Sequence, residues 1–535
     1  MKRRTFLSLT GASLTGACLP FDIAPLLAQA PATGPEVIAS TASGRVRGTR
    51  LDGVTVFKGI PYGGTTAGRN RFMPPTAPTP WTGVRDARAW GPTAPQTPPG
   101  ETPTEVAEGE DCLVLNVFTP AMGDGRRRPV MVWLHGGGFS TGSASHPVLE
   151  GARLAQQGDV VVVTINHRLN VLGYTYLGEA FGSEFAQSGA AGMLDIVAAL
   201  QWVRTHIDRF GGDPNLVTIF GQSGGGRKVA TLMSMPAASG LFHRAIIESG
   251  AVLRLMERET ALRYTSLLFG ELGVKPGQVR ELQDMPLGRL LQANAAALAK
   301  MPDRAPGWTA NTPMVDGTVL PSHPWDPAAP ALSKNIPLLM GYARTEETWY
   351  DRPTPEKLAM DDATLRRRAA ARLGVDPGPV IDAYRAAHPD ASPWDLHILI
   401  ATDHPRGIYS RELAKRKAAQ AAAPVFFYRF DWETPELGGH MRSPHTIEIQ
   451  FVFNNIATGG ALISKRADAY ALADKLSAAW AAFARTGDPN VSTLPRWPAY
   501  SAAQRDTMLL NTECRVEQDP DRGPRIAMER VLHLA

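Results

Sequence analysis

The stretch Leu216-Val217-Thr218-Ile219-Phe220-Gly221-Gln222-Ser223-Gly224-Gly225 decides how this chain is read. An apolar run of strand character stops on a serine with small neighbours, and a helix-like stretch, Lys228 to Met235, follows. Strand, G-x-S-x-G and helix in that order describe a turn so sharp that the residues flanking the serine must be small. Its hydroxyl then stands clear of the sheet edge. The next backbone N–H points to where a negative oxygen would form. In a chain with 51 glycines the pentapeptide alone says little. A second segment supports it. Val130-Met131-Val132-Trp133-Leu134 reads as a buried strand and runs into His135-Gly136-Gly137-Gly138-Phe139, a glycine-rich loop suited to supplying further backbone donors.

Outward from the serine, strands and helices alternate. Val114 to Phe118, Val130 to Leu134, Val160 to Ile165, Leu216 to Phe220, Ala245 to Ile247, Ile336 to Met340 and Val425 to Phe430 read as strands. The unbroken apolar run Val160–Ile165 is typical of a parallel strand covered on both faces. Met193, Ile196, Val197, Leu200, Val203 and Ile207 recur at helical spacing. Ala467 to Arg485 reads as a closing helix. Such alternation predicts an α/β chain with a doubly wound, mostly parallel sheet. The Ala/Leu/Arg-rich segments around 257–299 and 364–423 are expected to form a helical cap over the carboxyl edge of that sheet. A Pro-rich connector spans Gly91 to Pro103, after short β-like runs in 35–90.

Length and composition narrow the classes. The 535 residues can bury a large core, and 44% apolar with 20% charged is the balance of a soluble globular protein. A net charge of +4, with only short arginine triplets at 126–128 and 366–368, gives no nucleic-acid footprint. Lys2-Arg3-Arg4-Thr5-Phe6-Leu7 opens a positive segment, a modestly apolar stretch follows, and Ala28-Gln29-Ala30 offers a cleavage site. Residues 1–30 therefore read as a twin-arginine-type export signal, leaving 31–535 as one domain that is periplasmic or extracellular. A lipid anchor at Cys18 is the alternative. No later segment is apolar and long enough to span a membrane, so no stable membrane insertion is expected. Three cysteines, Cys18, Cys112 and Cys514, are too few for a disulfide framework, and no Cys/His cluster has zinc spacing. No metal or organic cofactor is implied.

A serine hydroxyl attacks well only when a base takes its proton and an acid orients the base. The acid is expected just past a strand, where Thr345-Glu346-Glu347 follows Ile336–Met340. The histidine is expected past the last large strand, where His440 and His445 follow Val425–Phe430.

At this point the chain resembles the type-B carboxylesterase/lipase family of the α/β-hydrolase superfamily, of the branch that includes para-nitrobenzyl esterases. The resemblance rests on Phe57-Lys58-Gly59-Ile60-Pro61-Tyr62, Arg71-Phe72, Glu110-Asp111-Cys112-Leu113 and Asn166-His167-Arg168. Met193-Leu194-Asp195, Gly240-Leu241-Phe242-His243 and the histidine loop His445 to Phe453 extend it over nearly the whole mature chain. It implies the α/β-hydrolase fold and a serine hydrolase that cleaves carboxylic esters through an acyl-enzyme. By motif position, Ser223 would be the nucleophile, His445 the base and Glu346 the acid, with Gly137, Gly138 and Gly224 donating to the oxyanion. The family's Asp-Glu-Gly is Thr345-Glu346-Glu347 here, so Glu347 stands beside Glu346 as a second candidate. Two buried ion pairs are implied, Arg71–Glu110 and Arg168–Asp195. His135 reads as scaffold, and Phe139, Trp308 and Trp349 as pocket candidates.

Two departures matter. Cys112 lacks the upstream cysteine with which the family closes a loop, so a free thiol is expected. No tryptophan lies between Trp90 and Cys112 to hold a quaternary ammonium, which argues against choline esters. The expected partner is a small-molecule ester substrate, and the protein is expected to be a monomer or homodimer. Amides, carbamates or polyesters handled by the same mechanism are the alternative. A non-catalytic binding protein is a distant one.

Overall fold

A computed structural model describes residues 34–96, 106–301 and 311–534. The signal-like segment 1–30 with Cys18, part of the Pro-rich connector and Trp308 lie outside the described residues.

Thirteen strands form one sheet. In chain order they are β1 (Glu36–Thr41), β2 (Gly44–Leu51), β3 (Val54–Pro61), β4 (Val84–Asp86), β5 (Val114–Thr119), β6 (Arg128–Leu134) and β7 (Val161–Ile165). There follow β8 (Gly212–Gln222), β9 (Arg244–Glu248), β10 (Leu338–Ala343), β11 (Val425–Phe430), β12 (Asp506–Leu510) and β13 (Arg515–Gln518). The spatial order is β1-β2-β3-β5-β7-β6-β8-β9-β10-β11-β12-β13, with β4 alongside β2. Antiparallel pairs occupy both ends, and β7 through β12 form the parallel body.

The apolar runs of the central strands are continuous because both faces are covered. Val130, Val132 and Leu134 of β6 join one hydrophobic cluster with Met193, Ile196, Leu200 and Val203 of the helix Ala191–His206. Met131 and Trp133, the alternate residues, join a second cluster with Leu472, Leu476, Trp480 and Phe483 of the helix Ala467–Thr486. Side chains alternate faces along a strand, so one strand feeds two cores. That is a doubly wound sheet seen residue by residue.

Several boundaries differ from the sequence expectation. The strand before the serine begins at Gly212, earlier than Leu216, and the helix after it begins at Gly224, earlier than Lys228. Gly224-Gly225-Gly226 has poor helix propensity, and tertiary packing overrides it. The strand expected from Ile336 begins at Leu338, because Pro337 has no N–H to give a ladder. Helices Arg258–Leu272 and Leu287–Ala299 carry a satellite core around Leu268, Leu272, Leu290 and Leu291. Helices Asp362–Leu373, Gly378–Ala387 and Pro393–Thr402 carry another around Leu365, Tyr384 and Trp394.

Two ion pairs tie the loops around the sheet's carboxyl edge. Arg71 grips Glu110 with two bonds, Nε to Oε1 at 2.6 Å and Nη2 to Oε2 at 2.7 Å. Arg168 grips Asp195 the same way at 2.8 and 2.6 Å, with both side chains buried. Cys112 is a buried free thiol whose pKa burial raises. Among the described residues no helix is long and apolar enough to cross a membrane. Replacing Asp195 with Asn would leave the Arg168 guanidinium buried without its counter-charge. We expect this to cost about 3–5 kcal/mol, read as a lower urea midpoint than wild type.

Candidate active site

The parallel strands end on one edge, and the candidate residues gather there, as ligand sites do in open α/β sheets. β8 ends at Gln222, and Ser223 caps the next helix with φ 58° and ψ −119°. An L-residue rarely takes that backbone; packing on every side holds it. A Cβ on Gly225 would sit 1.9 Å from the Leu134 carbonyl oxygen, and one on Gly221 would meet the same oxygen at 2.5 Å. The strand β6 crosses so close to the turn that only glycine fits at both positions. The Ser223 N–H donates to Glu248 O at 2.8 Å, tying the turn to β9.

Beyond β6 the loop His135–Phe139 runs beside the turn. Gly137 and Gly138 have φ of 80° and 64°, and a Cβ on Gly224 would lie 2.4 Å from Gly138 N. Among the described residues the N–H groups of Gly137 and Gly138 donate to nothing. Gly224 opens its helix, where N–H groups lack an intrahelical acceptor. Two loop glycines with free N–H groups thus lie beside the start of the helix that the serine caps. Asn170 fastens the loop, its N–H donating to Phe139 O at 2.8 Å and its Nδ2 to Ser140 O at 3.3 Å. His135 stacks on His167, centroids 4.8 Å apart, and burial lowers both, His135 to about 3. Both rings are neutral scaffold. Lys228, buried below, donates to His135 O at 2.9 Å, and burial brings its ammonium down to about 7.

The acid loop follows β10 and the histidine loop follows β11, paired in parallel. The two loops are laced together. Thr345 N donates to Ser443 O at 3.1 Å, and Ser443 N donates back to Thr345 Oγ1 at 2.8 Å. Thr348 Oγ1 donates to Met441 O at 2.7 Å. Thr345, where the related pattern has aspartate, is therefore a tie between loops. The lacing separates the two glutamates. Glu346 is fully buried and meets His445 Nδ1 in a short hydrogen bond. It also accepts from Ala343 N at 2.8 Å and Arg406 Nη1 at 3.3 Å. Glu347 turns away and pairs with Arg372. With Nδ1 bound to a carboxylate, the imidazole is fixed in the tautomer whose lone pair is on Nε2.

Burial would raise the Glu346 carboxyl, but the facing imidazole and the Arg406 guanidinium hold it below the ordinary carboxylate value. Nearby, burial pushes Glu248 up to about 8, although Trp480 Nε1 donates to it at 2.7 Å. Burial and the charges of Glu346 and Glu248 raise Glu448 well above its usual value, although Ser249 Oγ donates to it at 2.8 Å. Of three carboxyls in one region, only Glu346 is held as an anion at neutral pH. Environments that drive like groups apart in this way assign their roles.

Ser223 follows β8, Glu346 follows β10 and His445 follows β11, so all three lie at one edge of the sheet, with Gly138 packed against Gly224 beside the serine. His440 stands apart, exposed, past the kinked turn at 436–439. Among the described residues the Ser223 hydroxyl makes no hydrogen bond. The His445 ring lies against Gln222, whose Nε2 is 3.2 Å from Nδ1 and 3.5 Å from Nε2. Phe139 is core, edge-on to Tyr174 at 5.1 Å. Trp349 is partly buried under Arg352, 5.3 Å from the ring. Sequence reasoning missed Tyr350, Arg406 and Arg227. The Tyr350 ring lies 5.4 Å from that of His445, and Arg406 stacks on Tyr350 at 5.1 Å. Arg406 arrives from a segment read only as cap helix, and no local pattern marks it.

A strained serine on a strand–helix elbow above a doubly wound sheet, with a buried Glu–His pair from later loops, defines an α/β-hydrolase. The sequence profile of the Carboxylesterase family matches residues 35–374 and 386–524, and the chain belongs to that family. It is 36% identical to the para-nitrobenzyl esterase of Bacillus subtilis (strain 168) over 493 residues, 90% of this chain and 96% of that one. It is 34% identical to the phenmedipham hydrolase of Pseudarthrobacter oxydans over 489 residues, 89% and 95% of the two chains. The crystal structure of the Geobacillus stearothermophilus carboxylesterase EST55 at pH 6.2 superposes with a TM-score of 0.81 at 39% identity. It covers 92% of this chain and 99% of that one. This chain is a carboxylic ester hydrolase of the serine type.

The environment of His445 sets its pH dependence. Burial lowers the imidazole below the ordinary 6.5; Glu346 opposes this, and Arg406 and Arg227 add to it. A base must be unprotonated, so kcat/KM should rise with pH and reach half its plateau below pH 6.5. Glu346→Gln removes the charge that favours imidazolium. The limb should then move to lower pH, and kcat should fall by about four orders of magnitude. Glu347→Gln should leave both kcat and the limb near wild type. Stopped-flow pH profiles of the three proteins check this.

Proposed function

We propose that Ser223 attacks the ester carbonyl, with His445 as general base and Glu346 as the acid that orients it. The observation that carries the reading is the buried Glu346–His445 pair on the same sheet edge as the strained serine. His445 Nε2 takes the proton from Ser223 Oγ as the oxygen bonds to the carbonyl carbon. The carbonyl π electrons move to oxygen, and the oxyanion is met by the N–H groups of Gly137, Gly138 and Gly224. Each such donor is worth about 3 kcal/mol of barrier. The imidazolium returns the proton to the leaving alcohol as the C–O bond breaks. Water then repeats the sequence on the acyl-enzyme and frees the acid and Ser223. For the first transfer Oγ and Nε2 must come within about 2.6–3.2 Å in the substrate complex.

Carbamates and polyesters are the second reading of substrate scope. It is favoured by the likeness to a phenmedipham hydrolase and to a Clostridium hathewayi esterase whose structure is described as hydrolysing aliphatic aromatic polyesters, 31% identical with TM-score 0.76. For the N-terminus we propose export by the twin-arginine route and removal of residues 1–30. Substituting lysine at both Arg3 and Arg4 should leave the protein inside the cell, read by fractionation.

Ser223→Ala should fold with a wild-type circular dichroism spectrum and lose ester turnover. It should also lose labelling by a fluorophosphonate probe. Equal labelling of wild type and variant would assign the nucleophile elsewhere.

A further inference from the structure

Buried arginines in this fold are matched to carboxylates: Arg168 to Asp195, Arg411 to Asp403, Arg429 to Asp431. Arg227 breaks that pattern. It lies one helical turn after the serine, its N–H donating to Ser223 O at 3.0 Å, and residues at this spacing share a helix face. Among the described residues its partly buried guanidinium has no hydrogen bond and no ion pair. Its charged and titratable neighbours are Arg406, Tyr350 and His445. Arg406 cannot balance it, being itself a cation. The one carboxylate that Arg406 contacts, Glu346, is already committed to the imidazole.

The local charge therefore does not close. Glu346 is one anion against two guanidiniums, and Glu347 is held by Arg372. Burial, with Arg406 adding to it, lowers Arg227 to about 10, so it is still cationic at neutral pH. A desolvated cation without a counter-ion is costly to a fold. Breaches of local consistency of this kind cluster at functional sites. The oxyanion is not the missing partner, because the proposed mechanism already gives it the backbone N–H groups of Gly137, Gly138 and Gly224.

We propose that Arg227, with Arg406 across the Tyr350 ring, binds a carboxylate carried by the substrate, so that the preferred esters are anionic. The chemical class is a hemi-ester of a polycarboxylic acid, or an ester whose alcohol half bears a free carboxylate. The guanidinium fork suits a carboxylate through two parallel hydrogen bonds, and in a partly desolvated site such a charge-assisted pair discriminates strongly against a neutral isostere. This inference rests on Ser223 being the nucleophile, since it places the anion next to that serine.

The test compares matched substrates within each protein, so that any general loss divides out. For the acyl half these are 4-nitrophenyl hydrogen adipate and 4-nitrophenyl hexanoate. For the alcohol half they are 4-acetoxybenzoate and 4-methylphenyl acetate. In wild type the anionic member of one pair should have the higher kcat/KM, and that pair tells which half carries the charge. Arg227→Met should lower the anionic-to-neutral ratio by tenfold or more, and Arg227→Lys should keep part of it. A ratio unchanged in Arg227→Met, or a wild type that favours both neutral esters, overturns the proposal. So does an equal loss on both members, which would mean that Arg227 acts on the oxyanion or on His445. Calorimetry of adipate binding to Ser223→Ala protein reads the same contact without turnover. Binding there that Arg227→Met abolishes supports the proposal even if every ester tested is inert, an outcome that would count against the nucleophile instead. Binding of neither adipate nor 4-hydroxybenzoate, the alcohol-half product, in the presence of Arg227 overturns it.

Discussion

The Leu134 carbonyl oxygen governs this site. It stands 1.9 Å from where a Cβ of residue 225 would be and 2.5 Å from where one of residue 221 would be. β6 and the serine turn can approach so closely only with glycine at both positions. That approach forces Ser223 into a backbone conformation that side chains rarely adopt, and it brings the glycine loop after β6 alongside the first N–H of the following helix. Nucleophile and oxyanion donors are thus products of one steric contact. The strain is sustained by the two cores that clamp β6 from either face.

The acid and the histidine are positioned differently. They come from loops nearly a hundred residues apart in sequence, and parallel pairing of β10 with β11 brings the loops together. Thr345 and Thr348 then lace the loops to Ser443 and Met441, and this lacing aims Glu346 at the imidazole while Glu347 turns to Arg372. A tie through threonine hydroxyls is short, so the loop has little freedom to present its other glutamate. Substituting threonine for an aspartate in this pattern keeps an acceptor at the same place without adding a charge beside Glu346.

Charge is arranged by burial as much as by partners. Glu248 and Glu448 are driven toward their neutral forms, and His135 and His167 are kept neutral, so the field at His445 is set by Glu346 and the two arginines. A site with few ionised groups in a desolvated setting makes each of them count, because little water screens them.

The sequence alone carried the strands, the doubly wound order and the glycines Gly137, Gly138 and Gly224 around Ser223. It did so because glycine spacing and apolar runs are local consequences of steric contact and burial on two faces. The resemblance to the family implied His445, Glu346, the free thiol at Cys112 and the two buried ion pairs. Propensity misplaced the start of the helix after the serine, since three successive glycines look unlike a helix until packing fixes them. Motif register favoured Glu346 over Glu347, but the physical reason lies in hydrogen bonds to a loop about a hundred residues away. Arg406, Tyr350 and Arg227 had no visible signal for the same reason. Arginines are common on helices, and only the tertiary structure decides which one is left partly buried beside a serine without a carboxylate to face it.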